Sequence, residues 1–193
     1  NLIYSYGTIT TLSKKYGKLE SIWEHSNKVS FYSAELAKMI NAKNIIEDIT
    51  ISGLLHDLGK IIIVSLESEN MKKISGIASQ KNIASHLVEE LVMGINHAKL
   101  GGMIAEHWNF PENLVRAIEY HHSPGFATEE FIPLTYCVYL ANSMTEYEKG
   151  MVSFRILSKE VLDYFKITND EVLDKLHKTL KTRYEQRLKD NKE

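Results

Sequence analysis

A short segment of the sequence combines an imidazole, a carboxylate and an ammonium group. His56 and Asp57 are adjacent, within the run Gly-Leu-Leu-His-Asp-Leu-Gly-Lys. On a helix, Lys60 shares their face, because it follows Asp57 by three positions and His56 by four. Together these groups could bind a metal ion and a phosphate. The alternative is a surface salt bridge between Asp57 and Lys60.

Two glycines flank this pair and favour the functional interpretation. Gly53 and Gly59 each lie three residues from His56, so that on a continuous helix they lie above and below it on one face. A glycine inside a helix costs roughly 1 kcal/mol relative to alanine, and something should offset that cost. We expect the bare backbone to let another helix or a ligand approach closely.

A further histidine falls on a predicted apolar face. His25 lies three residues after Ile22 and four before Val29, which places it on the buried stripe of its helix. A buried imidazole needs a hydrogen bond, a charge or a metal ion as its partner. For a single histidine, a core residue with satisfied hydrogen bonds is the simpler interpretation.

Three more histidines mark the ends of predicted helices. His97 opens a helix and shares a face with Gly101. His121 and His122 end another helix, and both can point towards the interior. The carboxyl end of a helix carries the negative end of its dipole, which favours a cation nearby.

Other polar residues have simpler interpretations. His107 lies on a different helix face from His97, and His86 has no companion that the sequence identifies. We interpret both as structural. Asn142 shares a helix face with Val138, which by itself is typical of a hydrogen-bonded amide in a core.

The inward-facing residues combine many imidazoles with one carboxylate. This donor mix is typical of Zn, Fe, Mn or Ni rather than of Ca or Mg. The set is His25, His56, Asp57, His97, His121 and His122. Five separate inward or paired histidines are hard to explain as independent features of a core.

The pattern of apolar residues predicts an all-α fold. Apolar side chains recur at three- and four-residue spacing through most of the chain, and only three prolines interrupt it. The β-branched run 61–64 could form a short strand, but no partner strand can be identified, and we predict a helix end there. The predicted helices span about 20–41, 46–64, 82–93, 97–108, 111–122, 131–148, 158–165 and 169–187.

Composition excludes several classes of protein. The 193 residues carry a formal net charge of -2, which argues against a protein that coats nucleic acid. No apolar run approaches the roughly 20 residues that a membrane span needs. The single cysteine, Cys137, excludes an internal disulfide and fits a reducing compartment, so we expect a cytoplasmic location. Because the chain does not begin with Met, we interpret it as a piece of a longer protein.

The order of these residues resembles a known superfamily. The pattern His…His-Asp…His…His-His is similar to the HD superfamily of metal-dependent phosphohydrolases, and several motifs resemble its HDOD branch (HD-related output domain). The resemblance covers about residues 21–145. Its motifs are Trp23-Glu24-His25-Ser26, Gly53 to Lys60, Gly94 to Gly101, Trp108-Asn109-Phe110-Pro111, His121-His122-Ser123-Pro124 and Leu140-Ala141-Asn142.

The resemblance implies a single helical bundle domain of the HD type. Its core would span residues 21–148. Residues 1–20 would be the tail end of a preceding helical segment, and residues 149–193 would form C-terminal helices that pack on the core.

The resemblance also implies roles for individual residues. In the enzymes of the superfamily the first His and the His-Asp pair bind metal, the Asp can bridge two ions, and the Lys contacts phosphate. Carried over, these roles fall on His25, His56, Asp57 and Lys60, of which Asp57 and Lys60 would be the catalytic residues. The second metal position would take His97, His121 and His122, and the last ligand, an Asp in the family, corresponds to Asn142. The implied cofactor is a divalent transition metal: Fe, Mn, Ni or Zn.

The chain departs from the enzymes at several positions. Asn142 offers a neutral amide where the family has a carboxylate, which weakens the metal site and catalysis with it. The segment from Ser123 to Phe126 lacks the Gly-Tyr-Pro signature of cyclic-diguanylate phosphodiesterases, and Ser21 takes the place of their acidic residue. We therefore do not expect hydrolysis of cyclic diguanylate.

Three functions remain open at this stage. The first is a signal-transduction output module, as bacterial HDOD proteins are, with weak or absent catalysis and a signalling protein partner or a small phosphorylated ligand. The second is a metal-dependent phosphohydrolase that acts on a nucleotide or phosphodiester. The third is a helical scaffold whose pocket is a relic. We expect no nucleic-acid or membrane partner for any of them.

Overall fold

The computed structural model describes residues 18–65, 73–74, 76–78 and 83–191, and in these ranges the regular structure is helical without a strand. The all-α prediction is therefore confirmed. Short 3-10 turns span Lys43–Ile45, Pro124–Phe126 and Phe154–Ile156. The longer helices are α1 (Lys18–Met39), α2 (Ile46–Leu55), α3 (Leu58–Ser65), α4 (Ser85–Met93), α5 (His97–His107), α6 (Glu112–Tyr120), α7 (Ile132–Glu148), α8 (Lys159–Tyr164) and α9 (Asp170–Asp190).

One predicted helix is divided in two. The sequence pattern predicts a single helix over 46–64, but the chain turns at His56 and Asp57, between α2 and α3. The ring Nδ1 of His56 donates to the carbonyl of Gly53 at 2.8 Å, and the amide of Lys60 donates to the carbonyl of Asp57 at 2.9 Å, three residues back. These local bonds compete with the regular helical ladder. As a result the adjacent side chains of His56 and Asp57 both lie inside the protein, 0% and 2% exposed.

The main apolar core lies between α1, α2 and α7. Val29 and Leu36 of α1, Ile49 of α2 and Leu140 of α7 are each fully buried in it. Burying a side chain of this size stabilises the fold by about 1.5–3 kcal/mol. The same core extends to α8 through Val161 and to α9 through Leu173 and Leu180.

Two glycines allow helices to approach the site closely, as the sequence predicts. A Cβ atom on Gly53 would lie 2.9 Å from the Cα of Ser30 in α1. A Cβ atom on Gly59 would lie 2.0 Å from the carbonyl oxygen of His97 in α5. Both distances are too short for a real side chain, so glycine is required where α1 and α5 cross the His56–Asp57 turn.

The ends of α5 and α6 set the positions of three histidines. The side chain of Asn96 accepts a hydrogen bond from the amide of Lys99 at 3.0 Å, so α5 begins at His97. Helix α6 ends at Tyr120, and His121 and His122 lie in the turn that follows it rather than in its last turn, where the sequence pattern placed them.

The C-terminal helix packs beside α1 and α7. Arg183 of α9 binds Glu35 of α1 at 2.6 Å, and Lys181 binds Glu148 of α7 at 2.8 Å. The tail predicted for residues 1–20 lies outside the described residues except for 18–20, which begin α1. Within the described ranges, the model contains no helix with both the length and the apolar character needed to cross a membrane.

Candidate metal centre

The first cluster of candidate ligands joins α1 to the α2–α3 turn. His25 comes from α1, and its Nε2 lies 3.2 Å from Nε2 of His56. The Oδ2 oxygen of Asp57 lies 3.7 Å from Nε2 of His25 and 3.5 Å from Nε2 of His56. One ligand atom from each of the three residues lies within 4.8 Å of the others, a spacing that could hold one ion.

The second cluster joins α5 to the turn after α6. Nε2 of His122 lies 3.0 Å from Nε2 of His97, and His121 completes a second group that could hold an ion. The Oδ1 oxygen of Asp57 lies 3.1 Å from Nε2 of His97 and 3.9 Å from Nε2 of His121. The two oxygens of one carboxylate therefore face two different histidine groups.

Each of four rings has its Nδ1 atom engaged, and this selects the tautomer. A neutral imidazole carries one N–H, so a ring that donates from Nδ1 presents a lone pair at Nε2. Thr145 donates its hydroxyl proton to the carbonyl of Asn142 at 2.8 Å and must accept from His25 at 3.3 Å. The Nδ1 acceptors are Gly53 O for His56, Ile118 O for His121, Glu89 Oε2 for His97 and Thr145 Oγ1 for His25.

This choice of tautomer leaves two lone pairs facing each other in the first cluster. Neither His25 nor His56 has a proton to place between their Nε2 atoms. Burial, and then repulsion from His56, lowers the pKa of His25 from 6.5 to about 3, and burial lowers the pKa of His56 as well. Both rings therefore stay neutral, and a cation between them would remove the repulsion.

The distances and the unpaired atoms fit a metal ion. Two nitrogens that each lie about 2.05 Å from one tetrahedral ion are about 3.3 Å apart, close to the 3.2 Å between the Nε2 atoms of His25 and His56. Nε2 of His121 and Oδ1 of Asn142 are buried without a hydrogen-bond partner among the described residues. Such orphaned acceptors are costly unless a cation satisfies them.

The carboxylate at the centre remains ionised. Burial alone would raise the pKa of Asp57, but the ammonium group of Lys60 above all holds it well below its usual value. Nζ of Lys60 lies 3.2 Å and 3.1 Å from its two oxygens. The ion pair of the alternative interpretation thus exists, but its carboxylate is 2% exposed and is not at the surface.

Most of the predicted site residues come together in space. The ring centroids of His25 and His56 are 5.1 Å apart, and those of His56 and His121 are 4.9 Å apart. Asn142 is buried on α7. Its backbone carbonyl oxygen accepts a hydrogen bond from the hydroxyl of Thr145, and that hydroxyl in turn contacts Nδ1 of His25.

Three residues of the site were missed or misinterpreted in the sequence. Glu89 accepts both the amide and the Nδ1–H of His97, at 2.8 Å and 2.6 Å, and Thr145 orients His25. The interpretation of His86 as a residue without a companion is wrong, because its ring stacks on His122 with centroids 4.0 Å apart. The spacing of His86 and Glu89, three positions apart on one face of α4, was the available signal.

The centre is enclosed except at its edges. His56, His97 and His121 have no exposed surface, whereas the side chain of His25 is 14% exposed. A groove of about 530 Å³ reaches His25 and Thr145, and Tyr184 and Leu188 of α9 form part of its wall.

A model of the HDOD domain family matches residues 1–124. The chain belongs to the HDOD domain family. The matched part of this HDOD domain includes both histidine clusters and Asp57, and it ends before α7, which carries Asn142 and Thr145.

The chain is also similar to a curated relative and to solved structures. An uncharacterized protein of Treponema pallidum (strain Nichols) is 29% identical over 185 residues, which are 96% of this chain and 36% of the relative. The chain thus spans about a third of the length of that relative.

Two solved structures share the fold of this HDOD domain. An HDOD domain protein of unknown function from Geobacter sulfurreducens superimposes with a TM-score of 0.66 and 16% identity, over 89% of this chain and 60% of the other. A candidate signal transduction protein from Marinobacter aquaeolei VT8 superimposes with a TM-score of 0.69 and 18% identity, over 83% and 36%.

Proposed function

We propose that this chain is a signal-transduction output module of the HDOD type that holds divalent transition metal in its His/Asp centre and has weak or absent catalytic activity. One observation supports metal binding above all. The Nε2 atoms of His25 and His56 face each other at 3.2 Å, although both rings are neutral and both N–H groups are used elsewhere.

The residues present suit Fe, Mn, Ni or Zn. His25, His56 and Asp57 would hold one ion, and His97, His121 and His122 would hold a second, with Asp57 shared between them. The amide oxygen of Asn142 is available as a further, neutral ligand. A metal bound in such a set lowers the pKa of coordinated water and polarises phosphoryl oxygens.

Three features of the chain favour weak catalysis. Catalytic metal sites keep a position open for water or substrate, whereas His56, His97 and His121 are fully buried. Asn142 adds no negative charge to the centre. Lys60, which would contact phosphate in an enzyme, binds both oxygens of Asp57 instead.

Such a module would act by binding a partner rather than by turning over a substrate. Its partner would be a signalling protein or a small phosphorylated ligand. The description of the Marinobacter structure as a candidate signal transduction protein supports the first of these, and the exposed edge of the centre at His25 supports the second.

A metal-dependent phosphohydrolase is the second candidate, and one observation favours it. The groove that reaches His25 is about 530 Å³, a volume that falls within the usual range for small-molecule sites. A nucleotide or phosphodiester in this groove would reach the centre at His25, whose Nε2 lies 3.7 Å from Oδ2 of Asp57. The ammonium groups of Lys28 and Lys149, which also line the groove, would stabilise the charge of its phosphate.

One experiment separates the two candidates. The protein is purified without chelator, its metal content is measured by mass spectrometry, and turnover of generic nucleotides and phosphodiesters is assayed with added Fe, Mn, Ni or Zn. We expect stoichiometric metal and no turnover above that of Asp57→Ala. Turnover that Asp57→Ala abolishes would favour the hydrolase, and protein that neither contains metal nor changes its Tm when metal is added would contradict both.

A further inference from the structure

Helix α4 contributes two side chains to the second histidine cluster. Glu89 accepts both N–H groups of His97 at 2.8 Å and 2.6 Å, which fixes α4 against the beginning of α5. His86 precedes Glu89 by three residues and lies on the same face of α4. Its ring lies over that of His122, with centroids 4.0 Å apart and an angle of 18° between the planes.

His122 is held differently from the other four rings of the centre. An acceptor at Nδ1 orients each of His25, His56, His97 and His121. In the described part of the chain, no such acceptor is found for Nδ1 of His122, whose described hydrogen bond joins its Nε2 to Nε2 of His97 at 3.0 Å. The rings of His121 and His97 also contact His122, with centroids 4.2 Å and 4.9 Å away, but both are inclined to it. Among these ring contacts that of His86 is the nearly parallel one.

We propose that His86 is a positioning residue, which holds the ring of His122 by stacking so that Nε2 of His122 faces His97. The consequence for metal binding depends on the metal centre proposed above, whereas the positioning itself does not. Stacked aromatic rings attract each other by about 0.5–1.5 kcal/mol beyond the area they bury, enough to favour one orientation of a ring whose Nδ1 has no acceptor among the described residues.

The stack is compatible with the state of both rings. Burial, and then repulsion from His97, lowers the pKa of His86 to about 4, and burial with repulsion from His121 holds the pKa of His122 well below its usual value. Two neutral imidazoles can lie face to face without charge repulsion. We therefore expect the stack to form in the metal-free protein.

Three variants separate stacking from ligation. His86→Phe keeps a flat ring over His122 but removes both nitrogens, and His86→Ala removes the ring. His107→Ala is the matched control, because His107 is exposed and lies on a different face of α5. The Tm of each variant shows whether it folds.

The first measurement records the ring resonances of His122 in metal-free protein labelled at histidine, by two-dimensional NMR. We expect His86→Ala to remove the ring-current shift of the His122 ring protons and to broaden them. We expect His86→Phe and His107→Ala to keep one sharp, shifted set. An unchanged His122 spectrum in His86→Ala, or a spectrum of His86→Phe that matches that of His86→Ala, would overturn the proposal.

The second measurement titrates the metal-free proteins with Zn²⁺ and reports the affinity of each site, including that of the second histidine cluster. Residues that orient metal ligands typically change affinity by 10- to 100-fold, so we expect His86→Ala to weaken this site about tenfold and His86→Phe to leave it unchanged. Equal weakening in both variants would show that His86 is itself a ligand and would overturn the proposal. If wild-type protein binds no metal, the proposed metal centre fails, and the NMR comparison still decides the role of His86.

Discussion

Nε2 of His25 lies 3.2 Å from Nε2 of His56, although each ring already donates its N–H to an oxygen on its opposite side. Two lone pairs at this distance repel each other in a neutral pair. The bundle nevertheless orients both rings towards one point, next to a carboxylate. This arrangement is typical of ligands prepared for a cation by their outer hydrogen bonds.

Asp57 should control metal binding in both clusters. Its Oδ2 faces His25 and His56, and its Oδ1 faces His97 and His121. Asp57→Asn keeps the size of the side chain and removes its charge, so we expect affinity to fall at least about tenfold at both positions. The metal content of Asp57→Asn, measured by mass spectrometry, is compared with that of the wild type. Asp163→Asn, at an exposed position, is the control. Loss of metal from a single position would contradict a shared ligand.

Restoring a carboxylate at position 142 should strengthen the site. Oδ1 of Asn142 is buried without a hydrogen-bond partner in the described ranges, so Asn142→Asp would add negative charge where a ligand oxygen is available. We expect tighter binding in a competition titration with a fluorescent chelator. Unchanged affinity would show that residue 142 does not contact the ion.

Glu89 should support the second cluster through His97. Its carboxylate accepts the amide and the Nδ1–H of that residue, which fixes the ring and leaves Nε2 directed at Asp57. Glu89→Gln removes the charge and should weaken metal binding by about 10- to 100-fold. Glu106→Gln, exposed on α5, is the control. Equal metal affinities of the two variants would show that Glu89 does not support metal binding by the second cluster.

The metal-free protein should lose stability in weak acid. The pKa of His25 is about 3 in the folded protein, whereas that of an unperturbed histidine is 6.5, and burial lowers the pKa of His56 and His121 too. Between these values the unfolded chain binds protons that the folded chain does not, so the free energy of unfolding falls as pH falls from about 6.5 towards 3. The slope is at most about 1.4 kcal/mol per pH unit for each histidine.

Urea unfolding midpoints measured between about pH 7 and pH 5 test this dependence. His25→Gln should reduce the slope, because one titrating group is removed. A midpoint that stays constant across this range in the wild type would contradict the burial of neutral histidines.

Gly59 should not tolerate a side chain. A Cβ atom there would lie 2.0 Å from the carbonyl oxygen of His97, so Gly59→Ala must push α3 away from α5. We expect a loss of about 3 kcal/mol or more of stability, measured by urea denaturation. Gly76→Ala, where the Cβ atom would meet nothing within 4 Å, should be nearly neutral. A small effect at Gly59 would contradict the close crossing.

Helical periodicity and the spacing of the glycines predicted part of the geometry of the site. The apolar stripe around His25 predicted that this residue faces inward, and the glycines beside His56 predicted a close helix crossing. Both depend on local geometry, since the face of a helix on which a side chain lies follows from its spacing alone.

The turn at His56 and Asp57 could not be predicted in this way. Apolar residues continue at helical spacing on both sides of it, so the pattern over 46–64 is that of one helix. At the break the His56 ring donates to the carbonyl of Gly53, a bond that the apolar periodicity does not reveal.

Contacts between side chains of different helices could not be predicted from the sequence either. Glu89 meets His97, and Thr145 meets His25 across 120 positions of the chain. Such partners depend on how helices pack in space. His86 shows the same limit, because its companion, His122, lies on a different part of the chain and contacts it only through the packing of α4.

The central claim is that imidazoles and Asp57 hold an ion in common. Anomalous diffraction from crystals of protein purified without chelator, recorded at the absorption edge of the metal that mass spectrometry identifies, tests it most directly. The account predicts a peak within bonding distance of Nε2 of His25, Nε2 of His56 and Oδ2 of Asp57. An anomalous map without a peak there, in crystals soaked with Mn, Fe, Ni or Zn, would contradict it.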